Sequence, residues 1–207
     1  MISDNEIFVD ENAKYIKIDD VAMKDIESVW GQLAASYQGF TVDFCFYDTI
    51  SPEKFLLAKG AAILDNCIIM RLSEKDFVDM PTKEALQATK ENFAAFVGYH
   101  DEENPNMYWN SERLLADFAS WDIFTTSQDG EITGYALMHG GWDIRCLAAA
   151  GLEGKIALLS AAAKKSFATQ DKEVVFMAGR DDYVEIGAAT HLGFRHEGYY
   201  ISYRVKL

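Results

Sequence analysis

The stretch from Trp142 to Phe167, WDIRCLAAAGLEGKIALLSAAAKKSF, decides how the rest of the chain is read. It reads as a short apolar strand, a small-residue turn holding Gly151 and Gly154, and then a helix. Ile156, Leu159, Ala163 and Phe167 recur at spacings of three and four, which places them on one apolar helix face. A glycine-bearing turn that opens a helix leaves backbone N–H groups unpaired at the positive end of the helix dipole, an end suited to phosphate. A plain β-α turn with no ligand fits the same residues, so the flanking sequence has to separate the two readings.

Downstream, Glu173 to Ala178 (EVVFMA) predicts a strand, Asp182 to about Leu192 a helix, and Glu197 to Leu207 a terminal strand. Upstream, Ile123 to Thr126 and Ile132 to His139 are β-rich runs joined by the turn-forming QDG at Gln128 to Gly130, which predicts a β-hairpin. Before it, a helix is expected from Thr82 to about Val97 with Leu86, Phe93, Phe96 and Val97 on its buried side. The polar loop HDEENPNMYW around Pro105 then leads to a helix near Ser111 to Trp121 carrying Leu114, Leu115 and Phe118. From Ile68 onward the expected order is β, α, α, β, β, β, α, β, α, β. Hairpin neighbours are antiparallel and crossovers need parallel pairs, so this order is an α/β class with a mixed sheet.

The first 66 residues carry a second, shorter pattern. Residues 1 to 12 are polar and acidic and are expected to fray. Tyr15, Ile16 and Ile18 suggest a strand, and Asp19 and Asp20 are placed to cap a helix carrying Ala22, Ile26, Val29, Trp30, Leu33 and Tyr37. Gly39 ends that helix, Thr41 to Tyr47 (TVDFCFY) alternates as a strand, and Ser51-Pro52 opens a short helix to about Lys59. After Gly60, Ala61 to Leu64 and Cys67 to Leu72 read as strand segments around an Asp65-Asn66 turn. Residues 15 to 72 and 143 to 207 thus follow the same order, with Gly60 matching Gly193, Ile68 matching Ile201 and Arg71 matching Arg204. Either an internal duplication or shared β-α-β grammar produces this match. The expected division is an N-terminal β-α-β-α-β extension over 1–66 and a domain over 67–207.

The formal net charge of −14 argues against binding nucleic acid or anionic membranes, because phosphate repulsion would oppose both. It would attract cationic partners such as amines. No charged-then-apolar N-terminal segment and no apolar run of spanning length is seen, and Cys45, Cys67 and Cys146 are dispersed and odd in number. Reduced thiols and a cytoplasmic protein are expected. His100, His139, His191 and His196 form no ligand-spaced cluster with the cysteines, so no metal is expected.

The second block resembles the GNAT superfamily of acetyl-CoA-dependent N-acyltransferases. The resemblance covers about residues 67 to 207 and rests on CIIMRLSEKDF, FTTSQDGEITGYALMHGG, LEGKIALLSAAAKKSF and THLGFRHEGYYISY, the last matching a helix that closes on a Gly-Phe pair before a final strand. It implies a GNAT-like fold whose N-terminal extension is a half-GNAT-like unit. It further implies that the strand before the glycine turn splays from its neighbour to admit a pantetheine arm. By the same resemblance, the pyrophosphate of acetyl-CoA, a co-substrate here, would rest on Ala148, Ala149, Ala150, Gly151, Glu153, Gly154, Lys155 and Ile156. The implied acceptor is the primary amine of a small, cationic molecule; the alternatives kept are a noncatalytic acyl-CoA-binding or regulatory module and a half-repeat that serves only as a structural or homodimer interface.

The sequence departs from the family pattern Gln/Arg-x-x-Gly-x-Gly/Ala. With Gly154 on the first glycine, Gly151 takes the Gln/Arg position and Ile156 the second small position; with Ala157 on the small position, Lys155 replaces the glycine and Leu152 the Gln/Arg. The tyrosine that many relatives place four residues before the Gly-Phe pair falls at Ala189. Asp143, Tyr183 and His191 are the candidates for proton transfer: a carboxylate at the start of the strand, and two groups on the helix that supplies the acid in relatives. His139 at the hairpin end is a further titratable candidate with a structural explanation, and Trp109 and Trp142 would wall an acceptor pocket or simply pack.

Overall fold

The computed structural model describes residues 7–48, 51–105, 107–169 and 172–207. The chain divides into two units, the described parts of Met1–Ile68 with Gly198–Leu207, and Ile69–Glu197. The first unit holds strands β1 (Ile7–Asp10), β2 (Tyr15–Asp19) and β3 (Thr41–Tyr47), helices α1 (Ile26–Ser36) and α2 (Glu53–Ala58), the start of β4 (Ala62–Ser73), and most of the last strand. The second adds β5 (Leu86–Gln87), α3 (Phe93–Glu103), α4 (Ser111–Ala116), β6 (Trp121–Gln128), β7 (Glu131–His139), β8 (Asp143–Ala149), α5 (Gly151–Phe167), β9 (Glu173–Gly179) and α6 (Tyr183–His191). The chain closes on β10 (Arg195–Lys206). This is the mixed α/β architecture that the sequence predicts.

In the first unit the strand order is β1-β2-β3-β10-β4. β2 and β3 run parallel and pair without interruption from Tyr15↔Thr41 to Asp19↔Cys45, while β10 runs antiparallel to β3. The core gathers Ile16, Ile18, Val42, Phe44 and Phe46 from the strands, Val29 and Leu33 from α1, and Leu56 from α2. Three expectations change in this unit. Residues 7–10 are the strand β1, because Asp10 accepts the amide of Ala13 and Lys14 takes a left-handed φ of 48°, turning the chain back onto β2; residues 1–6 lie outside the described residues. Helix α1 starts at Ile26, since Asp19 stays in β2 against Lys17 and the Asp20 carboxylate accepts the amide of Tyr47, which leaves neither as a cap. β4 runs straight through Asp65-Asn66, where Ser202 on β10 bonds both the amide and the carboxylate of Asp65 and removes the reason to turn.

In the second unit the order is β4-β9-β8-β7-β6-β5. The β6–β7 hairpin closes on Asp129 and Gly130 with φ of 54° and 88°, the paired left-handed values of a type I′ turn. The helix expected from Thr82 is displaced. Residues 86–87 instead pair with Thr125 and Phe124 of β6, leaving Leu86 exposed, and the helix begins at Phe93 after Asn92 accepts the amide of Thr89. The residues His100 to Glu103, read as loop, are its last turn. The next helix is shorter than expected: α4 starts on an Asn110 cap, ends at Ala116, and a single 3-10 turn leads into β6.

Alternation along the sheet sorts this unit into two layers. Tyr135 and Leu137 of β7 pack with Phe93, Phe96 and Leu114 of α3 and α4, so the intervening Ala136 and Met138 face the other layer, where α5 lies against β6, β7 and β8. α5 is buried over more than the one predicted stripe: Ala157, Leu158, Ala162 and Ser166 are covered along with Ile156, Leu159, Ala163 and Phe167. α5 also packs on α6, which itself touches β9.

Candidate functional site

β8 and β9 start as a parallel pair and then part. Their ladder holds only at Asp143↔Val175 and Ile144↔Phe176, reinforced by the amide of Val175 donating to Trp142 at 2.8 Å, although β8 continues to Ala149 and β9 to Gly179. The unladdered length of β8 is roughly 15 Å at strand rise. The register of β8 against β7 shifts at the same place: Leu137 faces Cys146 and Met138 faces Ile144, so Arg145 is the extra residue of a β-bulge. The equivalent parallel pair of the first unit, β2 and β3, stays laddered over its whole length. A β-α-β crossover in this chain therefore has no general need to splay.

The parted strands lead to the start of α5. Ala150 is the N-cap and has no side chain able to accept, so this 17-residue helix starts without a side-chain cap among the described residues. Gly151 enters with a left-handed φ of 72°. The methyl of Ala149 sits against two glycines: a Cβ on Gly134 would lie 2.6 Å from it and 2.7 Å from the carbonyl of Ala148, and a Cβ on Gly154 would lie 3.2 Å from it. Gly134 lets β7 approach the end of β8 closely, and Gly154 lets the first turns of α5 do the same.

Lys155 lies at the mouth of this opening, and its ammonium is buried. Nζ donates to Asp182 Oδ2 at 3.1 Å and to Glu185 Oε1 at 2.9 Å. Burial pushes the Lys155 pKa down, but the bond and charge of Glu185, then those of Asp182, outweigh it and leave the group above its usual value. The two carboxylates are anchored in turn by main-chain amides: Asp182 Oδ1 accepts those of Val184 and Glu185 in α6, and Glu185 Oε2 accepts that of Gly179 at the end of β9. The clasp thus ties the first turns of α5 and α6 where the strands beneath them have separated.

Neither a protein-family model nor a curated protein matches the chain. Solved structures do. A GCN5-related N-acetyltransferase from Sphaerobacter thermophilus is 12% identical, with 97% of this chain and 77% of that one covered at a TM-score of 0.63. A putative acetyltransferase of the GNAT family from Novosphingobium aromaticivorans is 9% identical over 99% and 90% of the two chains, at 0.65. A tandem GNAT protein from the clavulanic acid biosynthesis pathway is 12% identical over 96% and 77%, at 0.58.

The chain has the GNAT fold.

Within that fold, the predicted site residues occupy three separate places. Ala148 to Ile156 form the end of β8 and the first turns of α5, with Glu153 exposed and 3.4 Å from Lys83. Asp143 lies at the laddered end of β8, about 20 Å of strand from Ala149, buried, ion-paired with Arg145 and directly across from His139. Tyr183 and His191 stand at opposite ends of α6, about 12 Å apart along its axis. Tyr183 is 79% exposed, and His191 Nδ1 is engaged with the Gly187 carbonyl at 2.7 Å. The structure does not bring Asp143, Tyr183 and His191 together. Trp109 packs on Trp121, which packs on His139, while Trp142 is exposed.

A polar cluster on the α3 side of the GNAT sheet has no counterpart among the predicted residues. The Tyr135 hydroxyl lies 3.3 Å from Cys146 Sγ on the parted length of β8 and accepts from Asn104 Nδ2. Burial above all raises the Tyr135 pKa and keeps the phenol protonated. His100, fully buried and stacked on Phe96, donates Nε2–H to the Trp109 carbonyl, and its Nδ1 meets no hydrogen-bond partner among the described residues. Burial lowers its pKa, in keeping with a neutral ring. Among the described residues no helix is long and apolar enough to cross a membrane, and no group of His, Cys, Asp or Glu is arranged to hold a metal.

Asp182 both caps α6 and holds the clasp, so Asp182→Ala is expected to cost about 1–2 kcal/mol at neutral pH. Burial raises its pKa, but the Glu185 amide, the Lys155 ammonium and the Val184 amide outweigh that and hold it below 3.8. A folded value below the unfolded one gives stability that is present above the unfolded value and lost as pH falls through the folded one. Urea unfolding of wild type and variant should show the gap narrowing below pH 3.8; a gap unchanged at about pH 2 would contradict this linkage.

Proposed function

We propose that this chain transfers an acetyl group from acetyl-CoA to the primary amine of a small, cationic molecule. The observation that carries the reading is the parting of β8 from β9 after Ile144 and Phe176, at the foot of an uncapped helix, when β2 and β3 of the same chain stay paired. The opening suits an extended arm, and the uncapped amides of α5 suit its phosphate end. The co-substrate supplies an activated thioester when bound. The chain's own residues then have three tasks: to place the arm between the strands, to hold an amine beside it on the α3 face, and to take up the proton released as the C–N bond forms and the C–S bond breaks. Asp143 and its cross-strand neighbour His139, next to the bulge at Arg145, are the groups on that face suited to the proton. The excess of acidic over basic residues, 33 against 19, favours a cationic acceptor.

A second reading, a noncatalytic acyl-CoA-binding module, is favoured by Ala189. It is fully buried at the position where related sequences carry a tyrosine, and it has no proton to give to a leaving thiolate. Titration calorimetry with acetyl-CoA should give saturable binding with Kd below about 1 mM, and thiol release should follow with at least one amine of a panel. Binding without release across the panel selects the module; no binding at millimolar concentration removes both readings.

A further inference from the structure

We propose that Asp182 and Glu185 are specificity-determining residues of this site that weaken its hold on the phosphate end of an acyl donor. The inference rests on the acyl-CoA reading above and concerns which part of the donor supplies affinity. A helix start that binds pyrophosphate gains from a free cation beside it. Here Lys155, within the first turns of α5, is already committed: its Nζ is buried and shared between two carboxylates. One ammonium faces two carboxylates, so the clasp as a whole is anionic. Glu153, in the first turn of α5, already takes the exposed Lys83 ammonium at 3.4 Å.

The carboxylates cannot simply turn away. Asp182 is fixed by the amides of Val184 and Glu185, and Glu185 by the amide of Gly179, so they remain at the mouth whatever Lys155 does. A polyanionic donor head must therefore either sit beside two fixed carboxylates or draw Lys155 away from them and leave them unpaired. Both cost affinity. The pantetheine thioester arm is uncharged and meets no such penalty between β8 and β9. The clasp accordingly shifts recognition from the phosphates to the arm.

The test compares acetyl-CoA with S-acetylpantetheine, which lacks the phosphates and the nucleotide, by calorimetry on wild type and on the double variant Asp182→Asn/Glu185→Gln. Asn still caps a helix and Gln still accepts the Gly179 amide, so the substitutions remove charge while keeping the anchoring bonds. Wild type should bind acetyl-CoA less than about tenfold more tightly than S-acetylpantetheine. The double variant should tighten acetyl-CoA by about tenfold or more and leave S-acetylpantetheine unchanged. A wild-type preference for acetyl-CoA well above tenfold, or an unchanged ratio in the variant, overturns the proposal. If neither thioester binds either protein, the acyl-CoA reading fails, and the charge effect is decided with inorganic pyrophosphate. Amide NMR shifts at residues 152–155 in the variant alone support it, and equal shifts or none in both proteins overturn it.

Discussion

Gly193→Ala is expected to lower stability by about 4 kcal/mol, as steric overlap adds to backbone strain. Gly193 takes φ of +98°, and a Cβ there would lie 2.1 Å from the carbonyl oxygen of Asp76 and 3.1 Å from its carbon. Left-handed strain alone costs an alanine about 1–2 kcal/mol; the overlap with a main-chain oxygen supplies the rest unless the Asp76 segment retreats. That segment is held. Val78 N–H donates to the Leu192 carbonyl at 3.0 Å, Phe77 N–H to Glu74, and the Asp76 side chain is bound by Ser73 and Arg195. At about 2–4 °C per kcal/mol for a chain of this size, the melting temperature should fall by roughly 10 °C. Gly187→Ala on α6, where a Cβ would meet nothing within 4 Å, should leave it unchanged or raise it slightly. A fall of under about 2 °C for Gly193→Ala would mean the Asp76 segment moves easily. The glycine of the Gly-Phe ending is thus required by a neighbouring backbone, and Phe194 follows it into the core.

The parts of the fold that were legible in the sequence are those fixed by neighbours in the chain. Asp129-Gly130 has the backbone freedom of a two-residue hairpin turn, and the predicted hairpin forms there. β9, α6 and β10 begin and end within about two residues of expectation, whereas α5 starts at Gly151 and takes in the turn expected to hold Gly151 and Gly154. The failures are cases where a distant group captured a residue whose local preference pointed elsewhere. Ser202 keeps Asp65 in a strand, the amide of Tyr47 takes the Asp20 carboxylate, and β6 draws residues 86–87 into an edge strand. The site divides the same way. The glycines and amides at the start of α5 could be read locally. Lys155 meets its carboxylates 27 and 30 residues away, and Tyr135 meets Asn104 across 31, pairings that leave no periodic signal. The splay of β8 came only from resemblance, since no residue in DIRCLAA marks where a ladder stops.

Arg204→Met is expected to cost about 3 kcal/mol, the low end for breaking a buried ion pair because water reaches the guanidinium. Arg204 Nε and a terminal nitrogen each bond the Asp43 carboxylate at 2.7 Å, and Tyr15 donates to it at 2.7 Å. The Asp43 side chain is 5% exposed and that of Arg204 24%. Without the guanidinium, a buried carboxylate keeps one neutral donor. Arg204→Lys restores the charge but not the two-pronged geometry and should recover only part of the loss. Asp43→Leu added to Arg204→Met should recover most of it, because the penalty comes from the stranded charge; a double variant no better than the single would refute that account. Arg71 provides the comparison. It stands on β4 where Arg204 stands on β10 and reaches Glu173 at the start of β9 and Glu197, as Arg204 reaches Asp43 on β3. Its pair is open to water, at 38% and 54% side-chain exposure, so Arg71→Met should cost under about 1 kcal/mol. The gap between the two costs then reflects both burial and the two-pronged hold of Arg204 on one carboxylate, and equal costs would show that Asp43 is better hydrated than its position implies.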